Sequence, residues 1–131
     1  MTTTTRRRLL ALFGLAPIAP VAAAASRVRP REPVKLLWTR VNGEAYYALR
    51  ESLPTLAVGD EVTLRREPEN RYDKRAVEVL DADGRKLGYV ARVDNPALAR
   101  MMDAGDCFRA TVSRVDLHRQ DVRLDIDWLR G

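Results

Sequence analysis

At 131 residues, with 46% of them hydrophobic and 31% charged, the chain holds one domain with a modest core and is too rich in apolar residues for a disordered polymer. Its formal net charge is +5, but removing Arg6, Arg7 and Arg8, which lie in a segment expected to be cleaved, from 23 basic residues against 18 acidic ones leaves about +2. A general positive field is thereby excluded as a means of holding nucleic acid, and any such binding has to come from a local site.

The chain opens with Thr2 to Thr5, then Arg6-Arg7-Arg8, then an apolar, acid-free run from Leu9 to Ala25 that ends in Ala23-Ala24-Ala25 before Ser26. A charged start, an apolar middle and small residues at the end are the three parts of an export signal. Thr5-Arg6-Arg7-Arg8-Leu9-Leu10 also resembles the twin-arginine pattern, in which Ser or Thr precedes the arginine pair and apolar residues follow. Residues 1–25 are accordingly expected to direct export to the periplasm or beyond. The alternative is an uncleaved membrane anchor, which Gly14, Pro17, Pro20 and the prevalence of alanine disfavour. Residues 26–33, with two prolines and three arginines, read as an extended linker, and residues 34–131 as the folded domain.

From Val34 onward, short alternating runs are separated by turn residues, which predicts an all-β fold: a small OB-like barrel of about six strands with one or two short helices. Val34 to Val41 is a strand closed by the turn dipeptide Asn42-Gly43. Glu61 to Arg66 alternates through Val62 and Leu64, so one face is buried. Ala76 to Leu80, the loop Asp81-Ala82-Asp83-Gly84 and the return through Leu87 and Tyr89 form a hairpin. Asn95-Pro96 predicts a helix start, with Asn95 capping the first turn, Leu98, Met101 and Met102 facing the core, and Gly105 past the end. Phe108 to Val115 and Val122 to Trp128 close the domain as two strands. Trp38 and Trp128, on the first and last strands, are expected to pack in the core. So is Cys107, a single cysteine that excludes an internal disulfide or a multi-cysteine zinc site.

One dense polar segment stands out, Arg65-Arg66-Glu67-Pro68-Glu69-Asn70-Arg71-Tyr72-Asp73-Lys74-Arg75-Ala76-Val77, followed by Gly84-Arg85-Lys86-Leu87-Gly88-Tyr89-Val90-Ala91-Arg92. Tyr46, Tyr47, Tyr72 and Tyr89 offer flat faces for unpaired bases, Asp73 could accept a hydrogen bond from a terminal sugar hydroxyl, and Arg66, Lys74 and Arg92 could neutralise phosphates. The same residues also suit a plain tight loop, with Asn70 and Asp73 bonding their own backbone. The order of REP, N-x-Y-D-x-x-A-V, hairpin, G-Y-V-x-R and helix resembles the HIRAN domain of Swi/Snf-type helicases and of small free-standing bacterial proteins, over roughly Val34 to Trp128. That resemblance implies an OB-like barrel that holds a single-stranded DNA by its terminal 3′-hydroxyl. Carried over position by position, it implies binding by Tyr46 of the early tyrosine pair, by Asn70, Tyr72 and Asp73, and by Tyr89 with Arg92. Tyr47 and Lys74 are their neighbours in the motif. Ala45 stands where well-understood members carry an arginine, and Tyr89 where they carry a histidine.

The partner expected on this reading is a single-stranded DNA 3′ end; the alternative is an exported protein-interaction or structural module that binds no DNA. No cofactor and no metal are expected. His118, the single histidine, lies in a charged turn without a nucleophile motif, and Asp125 and Asp127 flank Ile126 as on an ordinary exposed strand face, so the chain is expected to bind rather than catalyse.

Overall fold

The computed structural model describes residues 31–43 and 48–130, so the export segment, Tyr46 and Tyr47 lie outside the described residues. The elements are β1 (Glu32–Asn42), α1 (Leu49–Ser52), β2 (Glu61–Arg66), β3 (Val77–Leu80), β4 (Lys86–Val90), α2 (Asn95–Asp103), β5 (Phe108–Asp116) and β6 (Asp121–Arg130). The strands close into an antiparallel barrel in the order β1-β4-β3-β2-β5-β6, with β6 returning to β1. The small OB-like all-β fold expected from the turn spacing is what the chain adopts.

Period-two alternation builds the core in β1, β2, β5 and β6, while β3 and β4, whose ladder carries a register shift, depart from it. Thr39 and Val41 of β1, Val62 of β2, Val77 and Val79 of β3, Leu87 and Val90 of β4, Ala110 and Val112 of β5, and Val122, Leu124 and Ile126 of β6 are all buried. Leu49 and Leu53 at α1 and Leu98 and Ala99 of α2 are buried in the same core cluster. A fully buried side chain such as Leu98 or Leu124 contributes roughly 1.5–3 kcal/mol.

Several expectations are corrected. β1 begins at Glu32 and takes in the last two residues of the stretch read as linker, because Glu32 and Pro33 find partners in Arg130 and Leu129 of β6. The residue capping α2 is Asp94, not Asn95; Asn95 is the first helical residue, with Pro96 behind it, and is buried. Asp94 Oδ2 accepts the Thr39 hydroxyl at 2.8 Å, which ties the helix start to β1. Cys107 is exposed. Trp38 is also exposed, because alternation on β1 turns it outward with Arg40 and Asn42 while Thr39 and Val41 point in. Trp128 is half-buried, and its indole N–H donates to Asp106 Oδ1 at 3.3 Å.

Candidate functional site

The N-x-Y-D motif forms the loop from β2 to β3, and its two polar residues fold it. Asn70 Oδ1 accepts the amides of Tyr72 (2.9 Å) and Asp73 (3.0 Å), and Asp73 Oδ1 accepts the amide of Arg75 at 2.9 Å. These are Asx turns, in which a short side chain replaces a backbone partner. The second Asp73 oxygen accepts Asn95 Nδ2 at 2.7 Å and lies 3.5 Å from the Arg92 guanidinium. The Arg75 amide, Asn95 and Arg92 hold the Asp73 carboxyl below the usual aspartate range, so it is charged at neutral pH. Arg92 also donates to the Tyr72 carbonyl at 2.6 Å, joining the loop to the residues that follow β4.

With its backbone fastened on both sides, Tyr72 presents its ring outward, 83% exposed. An aromatic ring displayed in this way on a pinned loop covers nothing of the core. Tyr89 behaves differently. Its hydroxyl donates to Glu67 Oε2 at 2.9 Å and accepts from Lys86 Nζ at 2.9 Å and Asn70 Nδ2 at 3.2 Å. The Lys86 ammonium lies 4.8 Å from the Tyr89 ring centre and also reaches Glu67 (3.3 Å) and Glu78 (3.2 Å). Burial alone would lower the Lys86 pKa, but Tyr89, Glu78 and Glu67 outweigh it and drive the pKa well above the lysine norm. Burial of Glu67 is likewise outweighed by its bonds from Tyr89 and Lys86, and its carboxyl is held low. Tyr89 therefore braces the loop through Asn70.

Of the residues singled out in the sequence, Asn70, Tyr72, Asp73, Tyr89 and Arg92 are brought together; Lys74 is exposed on the same loop. Arg66, read as a phosphate contact, is instead committed to structure. Its guanidinium bonds Asp103, the Ala76 carbonyl and the Lys74 carbonyl, with 13% of the side chain exposed. Glu67, Lys86 and Asn95 were missed. Glu67 was legible as an acceptor three residues before Asn70, whereas the reach of Asn95 to Asp73 spans 22 positions and has no local signal. The described residues flanking Tyr46 and Tyr47 are anchored beside the brace: Asn42 faces Tyr89 in register, and the Ala48 amide bonds the Lys86 carbonyl at 3.0 Å.

The loop thus offers an outward aromatic face, a charged carboxylate with lone pairs to spare, and two cations, Arg92 and Lys74, within a few residues. Comparison with known proteins identifies the family and the fold. The model of the HIRAN domain matches residues 34–128. A protein from Lactobacillus plantarum, known by its crystal structure, superposes with a TM-score of 0.71 at 36% identity, over 76% of this chain and 98% of that one. The crystal structure of the HIRAN domain of human HLTF superposes with a TM-score of 0.62 at 24% identity, over 76% of this chain and 78% of that one, a likeness of fold. A search of curated proteins finds no match.

Proposed function

Given that the chain belongs to the HIRAN domain family, whose members are generally nucleic-acid-binding modules, we propose that it binds single-stranded DNA at the 3′ end and acts by binding rather than by catalysis. The observation that carries this reading is Tyr72, 83% exposed on a loop whose backbone is fixed by Asn70, Asp73 and Arg92. With the backbone already held, only the torsions of the ring itself need ordering when a terminal base stacks on it, and such a stack contributes about 1–3 kcal/mol. Asp73 beside it accepts a hydrogen bond from a terminal hydroxyl and repels a terminal phosphate. Arg92 and Lys74 stand within reach of the preceding phosphates.

The test is fluorescence anisotropy of labelled single strands ending in a 3′-hydroxyl or a 3′-phosphate. The hydroxyl strand is expected to bind at least about tenfold more tightly, one like-charge contact relieved. Asp73→Asn, which keeps the acceptor to the Arg75 amide but gives up the one facing Asn95 and Arg92, is expected to erase most of that preference, with a thermal melt to show that the chain still folds. Equal binding of the two strands by the unaltered chain rules end recognition out.

A further inference from the structure

The outer face of β1 carries a second aromatic residue for which the end-recognition loop has no use. Trp38 keeps 61% of its surface exposed in the middle of a strand, where an isolated apolar ring gains nothing by facing water. It is flanked rather than isolated. The Arg123 guanidinium lies 5.3 Å from the Trp38 ring centre, a cation–π pair across the β1–β6 ladder.

Trp38, Arg40 and Asn42 follow one another on the same outward face of β1, and with Leu36, Ala91 and Val93 they line a groove of about 710 Å³. Trp38 and Asn42, four residues apart on a strand, are separated by about 13 Å. One end of the groove is Asn42, which faces Tyr89 in register. Its wall is the segment after β4, where Arg92 bonds the Tyr72 carbonyl and Val93 follows, 84% exposed. The groove and the N-x-Y-D loop are therefore neighbours.

The charge pattern suits a phosphodiester chain. Arg40 and Arg123 both pair with Asp121, at 2.6 and 3.3 Å, but the carboxylate lies underneath with 9% of its side chain exposed, while the arginine side chains are 53% and 38% exposed. Arg92 shows 71% of its side chain above Asp73 at 21%. An approaching strand meets three exposed guanidinium groups, alongside the half-buried carboxylates of Asp94 in the groove lining and of Asp125 opposite Trp38. A peptide without acidic side chains would gain from the apolar floor but not from the guanidinium groups of Arg40, Arg92 and Arg123.

We propose that this groove carries the nucleotides that precede the 3′ terminus, with Trp38 as a second stacking platform and Arg40, Arg92 and Arg123 along the phosphates. The proposal rests on the end-binding reading and adds a length requirement to it. It predicts that the full chain binds a single-stranded decamer more tightly than a trimer with the same 3′-hydroxyl end, and that the decamer but not the trimer quenches Trp38 fluorescence.

The discriminating variant is Trp38→Ala, compared with Trp38→Phe and with a thermal melt that confirms folding. Trp38→Ala is expected to weaken decamer binding roughly five- to a hundredfold, the value of one lost stack. Trimer binding should be unchanged, and Trp38→Phe should restore part of the loss. Unchanged decamer affinity in Trp38→Ala overturns the second platform and gives the groove to another partner, while end binding stands. Equal loss on trimer and decamer also overturns it, since Trp38 would then act through the fold. Failure of the unaltered chain to bind either length sinks both readings together.

Discussion

Tyr72 and Tyr89 come from neighbouring stretches of one motif and do opposite work. Among the described residues, Tyr72 is bonded through its backbone and displays its ring, whereas the hydroxyl of Tyr89 bonds the side chains of Glu67, Lys86 and Asn70. Removing each should therefore show up in a different measurement. Tyr72→Ala is expected to leave the melting temperature within a degree or two and to weaken single-strand binding by about 1–3 kcal/mol. Tyr89→Phe strands the hydrogen bonds of Glu67, Lys86 and Asn70 and is expected to cost about 1–3 kcal/mol of stability, with any binding loss following from the loosened loop. Denaturant titration alongside anisotropy separates them; a large stability loss in Tyr72→Ala would contradict an outward, unpacked ring.

At the scale of elements, the close passage of β4 against β1 depends on one residue. Gly88 has φ +155°, and a β-carbon there would lie 2.0 Å from the Asn42 carbonyl oxygen. Gly88→Ala must push apart the pair of strands that sets Tyr89 beside Asn42, at an expected cost of about 2–4 kcal/mol. Gly84, in the β3–β4 turn, also has a positive φ (+79°) but opens onto empty space. Gly84→Ala should cost only about 1 kcal/mol, and equal losses in paired melts would show that clash is not the issue at Gly88. The same elements show what could be read from the chain in advance. β2, the β3–β4 hairpin and the two closing strands were legible because alternation and turn residues are local. Trp38 misled, since aromatic size suggested the core while parity on β1 sent the side chain outward. The N-x-Y-D loop was recognisable as a motif, but its pinning by Asn95 and Arg92 depends on where α2 starts, which only the folded barrel determines.

For the whole molecule, carboxylates held in hydrogen bonds make stability depend on acid. Asp73, Asp81 and Glu67 all have pKa values below their ordinary ones. At Asp81 burial works the other way but is outweighed by the Arg85 amide (2.8 Å) and guanidinium (2.9 Å). The folded chain thus binds fewer protons than the unfolded one near pH 4. Their contribution is complete above the unfolded values, roughly pH 4–4.5, and is lost as pH falls through the lower folded ones. Denaturant midpoints are expected to be flat from pH 7 to 5 and to drop by pH 3, with a shallower drop in Asp81→Asn. A midpoint unchanged at pH 3 would mean that these carboxylates are no better placed in the fold than in the open chain.

The pairing of β1 with β6 has a further consequence, set by its first rung. Glu32 and Arg130 are register partners, so the backbone enters and leaves the barrel one strand spacing apart, about 5 Å. A unit whose two ends meet in this way can be looped out of a host polypeptide with hardly any gap to bridge. The barrel is thus built as a cassette, able to present its N-x-Y-D loop from whatever chain carries it without asking that chain to change shape.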